Sequence, residues 1–225
     1  MSAQLIQILE TSFFTDDILC LRLKANTPIE FHAGQYILLG LDPEELKPFS
    51  IAAAPDGSGE IECHIRKNRQ SPWMQALFTK QSGDTLYWQG PINHVSLAKN
   101  NSLPTIFVAG GTGFALVKAL LETQLADQLS HPIHIYWGVR QAVDLYQHNW
   151  LVQLCQQHSN IDYTPVISEQ EHNWHGTTGS VHKKVLQDFA SLAEHLVYLC
   201  GPPDMQKAAK PAFLAAGLNE KNFIS

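Results

Sequence analysis

The sequence predicts a β-barrel joined to an α/β domain: an antiparallel barrel first, then a parallel sheet wound with helices. Three observations carry this prediction. Before about residue 97 the chain consists of short alternating or apolar runs punctuated by turn residues, with one helical segment among them. From residue 105 onward, strand and helix patterns alternate to the C-terminus, the signature of a parallel sheet with helical crossovers. Between the two regimes, "FVAGGTGFALVKAL" (107–120) joins a continuous apolar run to a helical pattern through a burst of glycine.

In the first part, "DILCLRL" (17–23) alternates and puts Leu19, Leu21 and Leu23 on one face. "QYILLGL" (35–41), "FSIAAA" (49–54) and "EIECHIR" (60–66) read as further strands, bounded by Ala33-Gly34, Asp42-Pro43 and Pro55-Asp56-Gly57. "SPWMQALFTK" (71–80) reads as a helix with Ser71 as N-cap and Pro72 at its first position. "DTLYWQGP" (84–91) is the last strand, and strands at this spacing close into a small barrel. In the second part, "TIFVAG" is apolar throughout, as a buried parallel strand must be. A helix running to about Leu129 follows, then strands at 133–138, 161–168 and 195–201 and helices at 145–158, 180–189 and 204–217. Trp150, Leu151 and Leu154 recur at helical spacing and read as core. The expected division is 1–98 for the barrel and 99–225 for the α/β domain.

With 44% hydrophobic and 16% charged residues, the 225-residue chain is globular. A net charge of −6 and no basic stripe argue against a nucleic-acid partner. The N-terminus lacks a cationic segment followed by a long apolar run, and no stretch is long and apolar enough to span a bilayer. The expectation is a cytoplasmic protein with no membrane partner. Cysteines at 20, 63, 155 and 200 are too scattered for a metal ribbon and fit free thiols in a reducing compartment. His172 and His175 are three apart, but no further ligands cluster with them, so no metal is expected.

Three motifs bear chemistry. Gly110, Gly111, Thr112 and Gly113 end the first strand of the α/β part and open a helix. Glycine lets an anion approach the backbone, and helix N-terminal amides face it. Leu116 stands where a dinucleotide fingerprint has a third small residue, and a plain tight turn is the competing reading. "LKPFSIA" (46–52) offers an aromatic face at Phe49 and a hydroxyl at Ser50 on a strand marked as an edge by Pro48. In "YLCGPPDM" (198–205), Cys200 ends a parallel strand and Gly201-Pro202-Pro203 stiffens the turn into a helix. Read alone, Cys200 is a small buried hydrophobe.

Taken together and in order, "KPFS", "GGTG" and "CGPP" resemble the ferredoxin–NADP reductase superfamily over essentially the whole chain. "FHAGQY", "SGDTLYWQGP", "YWGVR" and "DLY" add to the likeness, and the compact pattern looks most like the bacterial NAD(P)H:flavin oxidoreductases. The resemblance implies a flavin-binding barrel and a pyridine-nucleotide-binding domain. It implies that Pro48, Phe49 and Ser50 lie along the isoalloxazine ring, with the Ser50 hydroxyl near N5, and that His64 and Ile65 line other flavin contacts. Ser71 and its helix match the region that holds the FAD pyrophosphate in tightly bound members. Gly110, Gly111, Thr112, Gly113 and Phe114 would hold the nucleotide, and Cys200, Gly201 and Pro202 would sit beside the nicotinamide. The implied cofactors are FAD, or FMN or riboflavin serving as substrate, with NADPH or NADH as donor.

There are departures from the family pattern. Lys47 replaces the arginine of the R-x-Y/F-S motif, a point charge in place of a planar fork, which counts against tight FAD retention. The chain stops at "NFIS", where relatives often continue into an aromatic tail. A truncated chain or an open flavin face would both fit. Arg140 follows "IHIYWG" where an acidic ribose ligand is looked for; it reads either as a 2′-phosphate ligand or as a solvated loop charge.

The implied reaction is hydride transfer between stacked cofactors, in which the protein supplies placement rather than acid–base groups. Cys200 would shape the nicotinamide pocket without acting as a nucleophile. Three functions remain open: a reductase of free flavin, a reductase with bound FAD that serves a separate iron–sulfur or oxygenase partner, and a non-catalytic flavin- or nucleotide-sensing module.

Overall fold

A computed structural model describes residues 2–98, 102–128 and 130–225. The expected division at 98/99 borders residues outside this set, and the expected helix end at Leu129 lies outside it. The chain forms two compact units, one of residues 1–97 with 118–127 and the other of residues 98–117 with 128–225.

The first unit holds strands β1 (Gln4–Thr15), β2 (Ile18–Ala25), β3 (Tyr36–Asp42), β4 (Glu45–Ser50) and β5 (Glu60–Arg66), helix α1 (Pro72–Leu77) and strand β6 (Thr85–Ile92). They form one antiparallel sheet in the order β4-β3-β6-β1-β2-β5. Leu19, Leu21 and Leu23 face its core, packed with Ile37, Leu39, Ile61, Cys63, Ile65, Leu86 and Trp88. Ser71 caps α1 by accepting a hydrogen bond from the Met74 amide at 3.3 Å, and Pro72 opens it, as the sequence predicts.

Two expectations need correction here. The sequence reading singles out no strand before residue 17, yet β1 is the longest in the sheet at 12 residues. Irregularities between Ile8 and Glu10 and between Phe13 and Thr15 break its two-residue period, which removes the alternation that would have revealed it. The strand expected at 49–54 instead runs from Glu45 to Ser50. The Asp42 side chain accepts from the Glu44 amide at 2.8 Å, and this Asx turn folds the chain back at once into a hairpin with β3. Residues 51–54 then leave the sheet.

The second unit contains β7 (Thr105–Gly110), helix α2 (Phe114–Ala126, whose residues from 118 count with the first unit), β8 (Ile133–Val139), α3 (His148–Gln157), β9 (Ile161–Ile167), β10 (Thr177–Thr178), α4 (Val181–Asp188), β11 (Leu196–Cys200), α5 (Pro203–Ala215) and β12 (Phe223–Ile224). Its sheet is parallel, in the order β10-β9-β8-β7-β11-β12. Every residue of β7 is buried, as a central strand covered on both faces must be. Gly110 pairs with Gly138, and Ala109 with Cys200. The register therefore brings the glycine turn and the "CGPP" turn to the same carboxyl edge of the sheet, where α/β folds bind ligands. Among the described residues no helix is long and apolar enough to cross a membrane.

Candidate functional site

On β4 the two-residue period splits the "KPFS" motif. Lys47 and Phe49 share one face, and Pro48 and Ser50 the other. Phe49 lies nearly parallel to Trp73 of α1, with an interplanar angle of 13° and ring centroids 6.1 Å apart. The Lys47 ammonium sits 5.1 Å from the Trp73 ring centroid and 2.8 Å from the Glu45 carboxylate. Among the described residues the buried Trp73 indole N–H has no hydrogen-bond partner. Sequence reasoning placed Trp73 in a helix without giving it a site role; Ser71-Pro72 just before it is the local signal. Pro48 is exposed and Ser50 half-buried. Among the described residues the Ser50 hydroxyl has no internal partner.

His64 and Ile65 lie on β5. Ile65 packs within the core, so only its backbone is free to meet a ligand. His64 is buried edge-on to Phe14, with ring centroids 4.9 Å apart, and its Nε2 lies 2.8 Å from Glu62 Oε1. Burial pushes the His64 pKa down. Burial also works against ionised Glu62, but the His64 hydrogen bond and the Lys118 charge outweigh it and hold the carboxyl at about 2.

Because this carboxyl titrates at about 2 folded against an ordinary 4.5, its stabilisation is complete above pH 4.5 and is lost as the pH falls toward 2. Glu62→Gln is therefore expected to flatten the acid limb of the stability profile in that window, checked by urea unfolding across it. Cys20, Glu62 and His64 bring possible metal-ligand atoms within 4.8 Å of one another. The Lys118 ammonium, 3.2 Å from Glu62, already supplies the cation there. His172 and His175 are both exposed.

In the second unit the glycines divide their work. A Cβ on Gly110 would lie 2.7 Å from Met205 Sδ and 2.9 Å from Pro202 Cδ, and one on Gly113 would strike the Cys200 carbonyl oxygen. Gly113 lets the "GGTG" turn pack against the backbone of the "CGPP" turn, and Gly110 leaves room for the Pro202 ring and the Met205 side chain. Gly111 differs: its φ is +56° and a Cβ there would meet open space, so it presents bare backbone to whatever approaches the turn. Trp137 Nε1 donates to the Gly111 carbonyl at 2.9 Å and fixes the turn from beneath.

Thr112 is half-buried. The Phe114 side chain is fully buried and stacks on Trp137, with centroids 4.0 Å apart, so Phe114 offers a ligand only its backbone. Burial pushes the Cys200 thiol up to about 11, which keeps it neutral and unsuited to nucleophilic attack. Gly201 is half-buried and Pro202 exposed. Arg140 is exposed, and Glu169 holds it through contacts of 2.8 Å from Nε and 2.7 Å from Nη2. Glu169 lies 29 positions further along the chain, a separation at which sequence gives no pairing signal.

Residues 5–97 match the oxidoreductase FAD-binding domain and residues 107–211 the oxidoreductase NAD-binding domain. The chain belongs to the ferredoxin reductase-like oxidoreductases that join these two domains. It is 31% identical over 199 residues to an NAD(P)H-flavin reductase of Vibrio harveyi, covering 85% of this chain and 83% of that protein. It is 37% identical over 212 residues to a CDP-6-deoxy-L-threo-D-glycero-4-hexulose-3-dehydrase reductase of Yersinia pestis, covering 92% of this chain and 63% of that one. In fold it is similar to an Amycolatopsis cytochrome P450 reductase (TM-score 0.90, 24% identity, 99% of this chain and 69% of that one). It is likewise similar to a ferredoxin reductase in carbazole 1,9a-dioxygenase (TM-score 0.89, 20% identity, 99% and 68%).

Proposed function

We propose that the protein is an NAD(P)H-dependent reductase of exchangeable flavin. The observation that carries this reading is the state of Lys47. Where tight flavin binders present an arginine fork, this chain has an ammonium already engaged by Glu45 and the Trp73 face. A flavin gripped this loosely can leave after reduction. The match to the Vibrio harveyi flavin reductase, along most of both chains, supports the same reading.

When bound, the flavin supplies the redox chemistry, accepting a hydride from the nicotinamide. The chain's own residues position the reactants. Half-buried Phe49, backed by Trp73, offers an aromatic edge of the barrel core, and Ser50 offers a hydroxyl with no internal partner among the described residues. Gly111 exposes backbone to the nucleotide, while Cys200, Gly201 and Pro202 would shape the nicotinamide pocket.

The test is a visible spectrum before and after desalting, followed by NADH and NADPH oxidation with added FMN, riboflavin and FAD. Loss of flavin with turnover on resupply supports the proposal. Flavin that stays bound favours a reductase serving a separate iron–sulfur or oxygenase protein, a reading supported by the 37% identity to a protein named as a dehydrase reductase. Binding without turnover favours a sensing module.

The donor we infer is NADH. Glu169 neutralises the Arg140 guanidinium that a 2′-phosphate would need, and a carboxylate suits a ribose hydroxyl. Glu169→Gln is expected to raise the NADPH-to-NADH ratio of kcat/KM about fivefold, by freeing Arg140 and removing a repelling charge. An unchanged ratio would place the discrimination elsewhere.

A further inference from the structure

The barrel unit carries a half-buried ion cluster that none of the roles above absorbs. Lys118, on the part of α2 that belongs to this unit, has a side chain only 12% exposed. Its ammonium lies 3.2 Å from Glu62 and 2.7 Å from Glu122 and donates to the Ala52 carbonyl at 3.1 Å. The other Glu122 oxygen accepts from the Ala54 amide at 3.0 Å. Ala52 in turn donates its amide to the Glu62 carbonyl at 2.8 Å, and Ile51 donates to the Gln35 carbonyl at 3.1 Å.

The span these groups hold, residues 51–54, begins one position after Ser50 and belongs to no strand. Ile51 and Ala52 are fully buried. Backbone groups buried outside a ladder need other partners, and here Lys118 and Glu122 are two of them. Both bonds are charge-assisted and so stronger than neutral ones of the same length.

We propose that Lys118 is a positioning residue for the flavin site. Through Ala52, and with Glu122 through Ala54, it fixes the backbone on the C-terminal side of Ser50 and thereby the aim of the Ser50 hydroxyl. The inference rests on the flavin-reductase reading above. Without the ammonium, Glu62 and Glu122 lose the cation they share in a half-buried site and keep only the His64 and Ala54 hydrogen bonds. They must separate or take up a proton, and the Ala52 carbonyl loses its partner. A displacement of about 1 Å at a reacting group costs up to about 10²-fold in rate.

The test compares Lys118→Met, which keeps the apolar stem, with Lys118→Arg, which keeps the charge, and with Glu122→Ala, which removes the Ala54 acceptor and leaves the Lys118–Glu62 pair. For each, kcat and KM are measured with NADH and added flavin per mole of folded protein, together with the spectrum of the flavin-saturated protein. The expectation is a kcat about tenfold lower for Lys118→Met, with nucleotide KM within about twofold, an altered flavin spectrum, and recovery of most of kcat in Lys118→Arg.

Glu122→Ala should lower kcat about threefold, and it carries the test if Lys118→Met does not fold. A kcat for the Met variant within about twofold of wild type, or a Glu122→Ala variant indistinguishable from wild type in both kcat and spectrum, overturns the proposal. Equal losses in the Met and Arg variants overturn it too. A wild-type chain that neither binds nor reduces flavin overturns the flavin reading itself, and this inference with it.

Discussion

Gly113→Ala is expected to destabilise the nucleotide-binding unit by about 3 kcal/mol, more than any other single change in the glycine turn. The added Cβ would strike the Cys200 carbonyl oxygen and lie 3.0 Å from the Gly201 amide nitrogen. Both obstacles are backbone, held by β11 and by the proline-stiffened start of α5, so neither can yield without moving the sheet edge. Gly110→Ala should cost less, because its nearest obstacle is the flexible Met205 thioether. Gly111→Ala should cost about 1 kcal/mol, for the left-handed φ of +56° alone, since open space lies beyond it.

Nucleotide binding should follow the reverse logic. Gly111→Ala folds and loses affinity, because its methyl group occupies the approach to the turn. Thermal unfolding together with nucleotide titration of the three variants checks the order. If Gly111→Ala proved the least stable of the three, the division of labour within the turn would be wrong.

Ser50→Ala should lower kcat for flavin reduction about tenfold while leaving nucleotide KM within about twofold and stability within about 0.5 kcal/mol. Tenfold corresponds to one hydrogen bond of roughly 1.4 kcal/mol. The three parts of this expectation have separate causes. The hydroxyl has no internal partner among the described residues, so its removal strands nothing in the fold. The nucleotide turn lies in the other compact unit, so its affinity for the donor has no reason to change. What remains is the proposed contact to flavin. Stopped-flow reduction with saturating NADH measures it, and an unchanged rate would remove Ser50 from the site.

Much of this architecture is legible in the chain because it is local. The continuous apolar run of β7, the alternation of β2 and the Ser71-Pro72 start of α1 each need only a few neighbouring residues to declare themselves. The parts that escaped reading are those in which a local pattern is overridden. β1 loses its period at two irregularities. β4 begins four residues before the expected 49–54 strand because an Asx turn at Asp42 folds the chain back early. His64 and Ile65 sit in a motif that implies flavin contact, and it is the packing of the sheet that puts the Ile65 side chain in the core and the His64 ring beside Glu62.

By itself the sequence determined the class of the protein: a barrel followed by a parallel α/β domain, with three short motifs at strand ends. It could do so because strand period, helix caps and glycine turns are encoded over a few consecutive residues. Tertiary structure alone decided what those motif residues do. Gly110 and Gly113 pack against the "CGPP" turn while Gly111 stays open, Lys47 is held by Glu45 and Trp73, Arg140 is paired with Glu169, and Lys118 is buried among Glu62, Glu122 and the backbone after Ser50. Apart from the Lys47–Glu45 and Lys118–Glu122 pairs, the partners come from another element or a distant part of the chain. The charge balance and open space that assign these roles exist only once the folded chain has brought them together.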